Sequence, residues 1–253
     1  MISKQKIKLI HSLELKKNRE AHGLFVGEGP KIVCEFINHY KCKYLVAQET
    51  WATSNTDIIT KSQEVDIVSS EELSKASLLK APQNVIAIFE KPANLIISPS
   101  LATKDLCLAL DCIQDPGNFG TIIRIANWFG IKNIICSLTT ADVYSPKVIQ
   151  ATMGALTGVN VFYTDLCEYF QEIEKDIPIY GTFLEGQNIY KTSLTDNGII
   201  IMGNEGNGIS PNVGAYVNSR LYIPPFDPRS TTTESLNVAI ATAITCSEFR
   251  RRL

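Results

Sequence analysis

The chain has 253 residues, of which 45% are hydrophobic and 20% charged, with a formal net charge of −2. That length buries a substantial core in one or two domains, and the composition excludes a disordered or fibrous chain. The charge balance excludes a uniformly basic nucleic-acid binder, and no apolar run is long enough to span a bilayer.

In chain order, Ile7, Ile10, Leu13 and Leu15 recur among charges and predict a helix over 7–17. LFVGEG (24–29) reads as a short strand and turn. Pro30 then opens a helix that turns Ile32, Val33, Phe36 and Ile37 inward. KYLVAQ (43–48) and VIAIFE (85–90) read as buried strands, with a helix over Glu71–Leu79 between them. These elements predict a small α/β domain over 1–91. Two prolines and several small polar residues mark 92–104 as a linker. Beyond it lie mostly apolar runs at 106–113, 133–138, 177–184, 198–203 and 220–224, as expected of parallel strands covered on both faces. Helical patterns at 120–129, 145–157, 166–175, 211–218 and 233–251 alternate with them. The alternation predicts an open parallel sheet over 105–253, with ligands at the carboxyl ends of its strands.

The opening MISKQKIKLI lacks the apolar core of a secretion signal, and a cytoplasmic location is expected. The seven cysteines show neither CxxC nor Cys/His spacing, which points to reduced thiols and no metal site. Residues 1–31 carry seven basic against three acidic side chains. A local basic cluster on a near-neutral body suits an enzyme that meets a polyanion with part of its surface. The same charges would also suit the solvated face of an amphipathic helix.

Three loops concentrate chemistry. In QDPGNFGTIIRIANWFGI (114–131) a tight turn feeds a helix expected from about Gly120, with Ile122, Ile125, Ala126 and Phe129 inward. Arg124 lies off that stripe near the expected helix start, where the helix dipole disfavours a cation. Binding a phosphate or a nascent alkoxide would justify it; a lone helix Arg is otherwise simply solvated. In IIIMGNEGNGIS (199–210) three glycines surround Glu205, but their order is not that of a dinucleotide fingerprint. In YIPPFDPRSTTTESLNVAIATAI (222–244) a strand breaks at Pro224-Pro225. Thr231 and Glu234 have capping-box spacing, Ser235 and Asn237 fall in the first turn of the closing helix, and Leu236, Ala239, Ile240, Ala243 and Ile244 form its inward stripe.

Taken in order, Asn118-Phe-Gly-Thr-Ile-Ile-Arg124, Gly203-Asn-Glu205-Gly206 and Glu234-Ser-Leu-Asn237 resemble the three motifs of the SpoU/TrmH family. These are RNA 2′-O-ribose methyltransferases of the SPOUT class. Val143-Tyr-Ser-Pro-Lys147 and Ala151-Thr-Met-Gly154 resemble that family's connecting stretch, and the likeness covers nearly all of 105–246. Residues 5–90 resemble, more loosely, the family's L30e-like substrate-binding domain. The resemblance implies a C-terminal trefoil knot, S-adenosylmethionine as cofactor, a homodimer, and RNA as substrate. The N-terminal domain with its basic helix favours a large structured RNA, ribosomal RNA first and transfer RNA second. It implies catalytic or substrate-orienting roles for Arg124, Asn118, Glu205, Ser235 and Asn237. Cofactor contacts would fall to Thr182, Gly203, Ile223 and Leu236. The Ile223 assignment departs from the pattern, because the stretch from 223 to 235 is longer and richer in proline and threonine than the family's. RNA contacts are expected from Lys16, Lys17, Arg19 and Arg124.

All three histidines precede residue 40. A Ser-His or Cys-His nucleophile is therefore not expected in 105–253, and the chemistry should be direct displacement by a positioned 2′-oxygen. Two other readings remain open on sequence alone: a catalytically silent RNA-binding or ribosome-assembly protein of the same fold, and a Rossmann-type oxidoreductase, which the glycine order disfavours.

Overall fold

The computed structural model describes residues 2–93, 95–227 and 235–251. The chain forms two compact units, one of Met1–Ala93 with Asp142–Thr157, the other of Asn94–Ala141 with Gly158–Leu253. Where the sequence suggests one crossing at 92–104, the chain thus also returns to the first unit over 142–157.

In the first unit, strands β1 (Leu24–Glu28), β2 (Cys42–Gln48), β3 (Ser62–Val68) and β4 (Val85–Glu90) form a sheet in the order β1-β4-β2-β3. β4 runs antiparallel to both neighbours, while β2 and β3 are parallel. Helices α1 (Lys4–Ser12), α2 (Lys16–His22), α3 (Pro30–Phe36), α4 (Glu49–Ser54), α5 (Thr56–Ile59) and α6 (Ser70–Ala76) accompany it. The helix expected over 7–17 is two helices. Leu13 closes α1 in a helical conformation, Leu15 turns extended, and Asn18 Nδ2 donates to the Ser12 carbonyl across the break. Phe25, Phe36, Tyr40 and Phe89 pack with ring centroids 5.1–6.3 Å apart. Tyr144, from the returning segment, joins them 4.9 Å from Phe25. At the end of β1, buried Glu28 accepts from Ser77 Oγ at 2.6 Å and Leu78 N at 2.8 Å. Burial pushes its carboxyl up, and the two bonds oppose that shift.

The returning segment contributes helix α9 (Pro146–Thr152). The helix expected over 145–157 ends here, because Met153 and Gly154 take positive φ of 52° and 94°. A side chain at Gly154 would come within 2.9 Å of Glu35 Cγ, so glycine lets this turn lie against α3. Arg19, expected among the RNA contacts, is in fact only 2% exposed. Its Nε and Nη2 donate to Asp142 Oδ2 at 3.0 and 2.6 Å, and its Nη1 donates to the carbonyls of Leu13 and Glu14, each at 2.7 Å. A buried guanidinium needs such partners, and these four bonds use four of its five N–H groups within the protein. Lys16 and Lys17 stay exposed.

In the second unit, six strands lie in the order β10-β8-β9-β5-β6-β7: β5 (Leu106–Leu110), β6 (Asn133–Ser137), β7 (Asn160–Thr164), β8 (Ile179–Asn188), β9 (Gly198–Met202) and β10 (Ser219–Tyr222). Every neighbouring pair is parallel. The central strands are apolar because both faces are covered: Leu108, Ile199, Ile200 and Ile201 are all at 0% exposure. Each such side chain contributes about 1.5–3 kcal/mol by burial. Helices α7 (Leu101–Lys104), α8 (Pro116–Trp128), α10 (Leu166–Glu172), α11 (Pro211–Gly214) and α12 (Val238–Arg251) complete the unit.

α8 and α12 pack side by side and parallel. Their amino ends meet where Asn237 Nδ2 donates to Asn118 Oδ1 at 2.9 Å, and their carboxyl ends where Arg250 Nε donates to the Phe129 carbonyl at 2.9 Å. The inward stripe of α12 differs from the sequence expectation. Val238, Ala239, Thr242, Thr245, Cys246 and Phe249 are buried, whereas Ile240 is 53% exposed. The helix begins at Val238, so Leu236 lies before it rather than on its stripe.

Candidate active site

The strand order puts four carboxyl ends in a row: Tyr222 of β10, Gly181 within β8, Met202 of β9 and Leu110 of β5. β8 pairs with β10 at Tyr180 and Gly181, and again at Gln187 and Asn188, so residues 182–186 form an excursion between the two paired stretches. Thr182, Gly203 and Ile223 therefore follow neighbouring strand ends. Thr182 Oγ1 donates to the Ile201 carbonyl at 3.3 Å, Gly203 is buried and Ile223 is half-buried. Leu236, ahead of α12, is 48% exposed.

Two residues at the end of β5 hold the glycine loop. Buried Asp111 accepts from Ser210 N at 2.7 Å, and its own N–H donates to the Met202 carbonyl. Asn204 Nδ2 donates to the Cys112 carbonyl at 2.8 Å, while its Oδ1 accepts from Gly206 N and Asn207 N. The loop folds back on itself so tightly that a side chain at Gly203 would collide with the backbone of Gly208 and Ile209. Asp111 and Asn204 carried no flag in the sequence. A buried acid ending an apolar strand was the available signal.

The structure then joins the three motif segments. Asn118 Nδ2 donates to Glu205 Oε1 at 2.8 Å, and Asn237 Nδ2 donates to Asn118 Oδ1 at 2.9 Å. Asn237 Oδ1 in turn accepts from Ala239 N and Ile240 N at 3.0 and 3.3 Å, so Asn237 caps α12. Ser235 lies ahead of that cap, outside any helix or strand, instead of in the helix's first turn. The Thr231–Glu234 capping pair lies outside the described residues. Each amide in the chain is fixed by what it bonds, and the second oxygen of Glu205 has no partner among the described residues.

α8 starts at Pro116, not near Gly120. Asp115 caps it by accepting from Asn118 N at 2.7 Å. Arg124 therefore sits more than two turns into the helix, where the dipole no longer opposes a cation. Six residues of helix, ~9 Å of rise, separate it from Asn118. It is exposed, on the same stripe as Thr121 and Trp128, and has no hydrogen-bond or ion-pair partner among the described residues. The structure thus brings Asn118, Glu205 and Asn237 into contact and leaves Arg124 free to reach a ligand.

The strand-end loops share one electrostatic trait. Residues 111–115, 182–186, 203–209 and 223–227 include Asp111, Asp115, Glu185, Glu205 and Asp227 but no Lys or Arg. The loops' own side chains thus favour a cationic ligand over a phosphorylated dinucleotide, while from β10 the Arg220 guanidinium stacks 3.6 Å over the Phe183 ring.

Comparison with known proteins matches residues 105–247 to the SpoU rRNA methylase family and residues 4–87 to an MRM3-like substrate binding domain. The chain belongs to the SpoU rRNA methylase family. It is 30% identical to the 23S rRNA (guanosine(2553)-2′-O)-methyltransferase RlmP of Bacillus subtilis, over 97% of this chain and 96% of that protein. A protein of the TrmH family of RNA methyltransferases from Porphyromonas gingivalis superposes with a TM-score of 0.87 at 39% identity, covering 100% of both chains. A further match is the S-adenosylmethionine-bound rRNA methyltransferase of Sinorhizobium meliloti, at a TM-score of 0.84 and 27% identity, covering 100% of this chain and 97% of that one. The matched span contains all three segments that meet around Asn118. Among the described residues no group of His, Cys, Asp or Glu could hold a metal ion, and no helix is long and apolar enough to cross a membrane.

Proposed function

We propose that this protein transfers a methyl group from S-adenosylmethionine to a ribose 2′-hydroxyl of ribosomal RNA. The observation that carries the reading is the hydrogen-bonded chain from Glu205 through Asn118 to Asn237, which ties the three motif segments together at the carboxyl ends of the strands. The residues present suit the cofactor. Ile223 and Leu236 offer apolar surface to an adenine ring, the glycine loop offers backbone groups, and the acidic loops match a sulfonium charge. When bound, S-adenosylmethionine supplies an electrophilic methyl group.

The chain's own residues position the acceptor. The free oxygen of Glu205 accepts from a ribose hydroxyl, and Asn118 and Asn237 hold that carboxylate in place. Arg124 stabilises the oxygen as negative charge develops on it and anchors a flanking phosphate. Ser235, beside the Asn237 cap, faces the same ligand. A guanidinium does not give up its proton at neutral pH, so the hydroxyl proton passes to water or a phosphate oxygen. Ribosomal RNA is preferred because the Bacillus subtilis and Sinorhizobium meliloti relatives are rRNA methyltransferases by name, and a cytoplasmic location goes with that substrate. The C-terminal helix α12 follows β10, at one sheet edge, yet packs against α8, which joins β5 to β6 on the other side of β9 and β8; that connection suits the trefoil knot of the family.

The test is transfer of labelled methyl groups to RNA from cells lacking the protein, followed by mapping of 2′-O-methyl sites. A site lost in those cells and restored by the purified enzyme supports the reading. Cofactor binding without transfer to any RNA would sink it.

The α8–α12 pair also supports a homodimer. Trp128 is 85% exposed, Ile240 53% and Leu236 48%. Trp128 ends α8, Ile240 lies in the first turn of α12 and Leu236 just ahead of it; exposed large apolar side chains along this pair suit an association surface. Trp128→Glu is expected to weaken dimerisation by about 2 kcal/mol or more, as for a buried Trp anchor. Analytical ultracentrifugation would read this as a shift to monomer; an unchanged dimer would place the interface elsewhere.

A further inference from the structure

Away from the strand-end crevice, the first unit carries an open groove of about 540 Å³ between α1, the end of α2 and β2. Its polar lining includes Gln5, Lys6, Lys8, His22, Lys43 and Tyr44, and no acidic side chain lines it.

The basic groups differ in what they already hold. Lys6 Nζ lies 2.7 Å from Asp66 Oδ2 and 3.2 Å from Glu64 Oε2, so its charge is met from β3. Lys8, Lys43 and His22 have no ion-pair partner among the described residues. Lys43 Nζ stands 5.9 Å from the centre of the Tyr44 ring, and Lys6 Nζ stands 5.0 Å from the same ring. The ring thus holds two ammonium groups beside the groove. Two hydroxyls on the rim are spent on the helix: Ser3 Oγ accepts from Lys6 N, and Ser12 Oγ donates to the Leu9 carbonyl. What remains available is positive charge, presented from separate elements along an open channel. A polyanion with regularly spaced charges meets that arrangement better than one compact anion, because cations on different elements can each take a different phosphate.

We propose that this groove binds the sugar–phosphate backbone of the substrate RNA, with Lys8 and Lys43 each taking a phosphate. The inference rests on the RNA-methyltransferase reading, and it assigns the RNA contact to residues distinct from the Lys16–Arg19 run. Arg19 is buried, and Lys16 pairs loosely with Glu20 at 3.9 Å.

The test uses the full-length protein and ribosomal RNA. The double variant Lys8→Ala, Lys43→Ala should raise the RNA concentration needed for half-maximal methyl transfer about tenfold or more at moderate salt. It should also flatten the dependence of log affinity on log salt by about 1.4, at ~0.7 per phosphate for single-stranded RNA. Turnover at saturating RNA and S-adenosylmethionine affinity should stay as in the parent. Lys75→Ala with Lys80→Ala removes the same charge from the same unit outside the groove and should leave the salt slope unaltered. Lys8→Arg with Lys43→Arg keeps the charge and should keep the affinity, which separates phosphate binding from any loss of folding. Parental affinity and slope in the Ala pair, or an equal loss in the Lys75/Lys80 pair, would overturn the groove. If inorganic phosphate at low millimolar concentration displaced RNA from the parent but not from the Ala pair, the site would be one for a small anion and the RNA assignment would fall. RNA binding through the groove with no methyl transfer by the parent protein would leave the groove standing and remove the enzymatic reading.

Discussion

Replacing Arg124 with Ala is expected to lower methyl transfer by about 10²–10³-fold, the usual cost of removing one donor aimed at developing negative charge. Affinity for S-adenosylmethionine should not change, because Arg124 stands ~9 Å along α8 from Asn118 and outside the strand-end loops that would hold the cofactor. Its guanidinium has no partner among the described residues, so truncation leaves no protein group unsatisfied and stability should hold. Arg124→Lys keeps the charge and loses the planar fork, and its rate should fall between the other two. Single-turnover transfer with saturating RNA, read beside cofactor titration, separates these effects. Equal losses in rate and cofactor affinity would make Arg124 part of the cofactor site, and a Lys variant as fast as the parent would refute an oriented guanidinium.

Arg19→Ala should destabilise the protein by about 3–5 kcal/mol, the range for breaking a buried ion pair from one side. The substitution strands the Asp142 carboxylate and unbonds the carbonyls of Leu13 and Glu14, all four contacts being 3.0 Å or shorter. A denaturant midpoint measurement reads the loss directly. Asp142→Ala should cost a comparable amount, and the double variant should cost less than the two singles added together. A change below ~1 kcal/mol for Arg19→Ala would mean that water replaces these contacts.

Much of the second unit was legible because its central strands are apolar on both faces. β5, β6 and β9 read as continuous runs without any knowledge of their neighbours. The two strands missing from the sequence reading, β3 and β7, are edge strands of their sheets. An edge strand is covered less completely, and SQEVDIV accordingly carries Glu64 and the 42% exposed Ile67. Helix boundaries moved for similar local reasons. Asp115 and Pro116 start α8 a turn early, and the Asn237 cap starts α12 at Val238, five residues late.

The site was legible as three motif segments, but their contacts were not. Asn118 meets Asn237 across 119 residues of sequence and Glu205 across 87. The fate of Arg19 was hidden for the same reason. In sequence it belongs to a basic run indistinguishable from Lys16 and Lys17, and its ion-pair partner Asp142 lies 123 residues away.

The return of residues 142–157 to the first unit has a consequence for anyone who would take the protein apart. The polypeptide passes between its two halves three times, at Ala93, Ala141 and Thr157, so no single cut frees either of them. A fragment ending at Ala93 would lack Asp142, the Tyr144 ring and α9, and would expose a lone guanidinium and one side of its aromatic cluster. A protease nick in 92–104 would sever one of three covalent strands and leave the halves tethered.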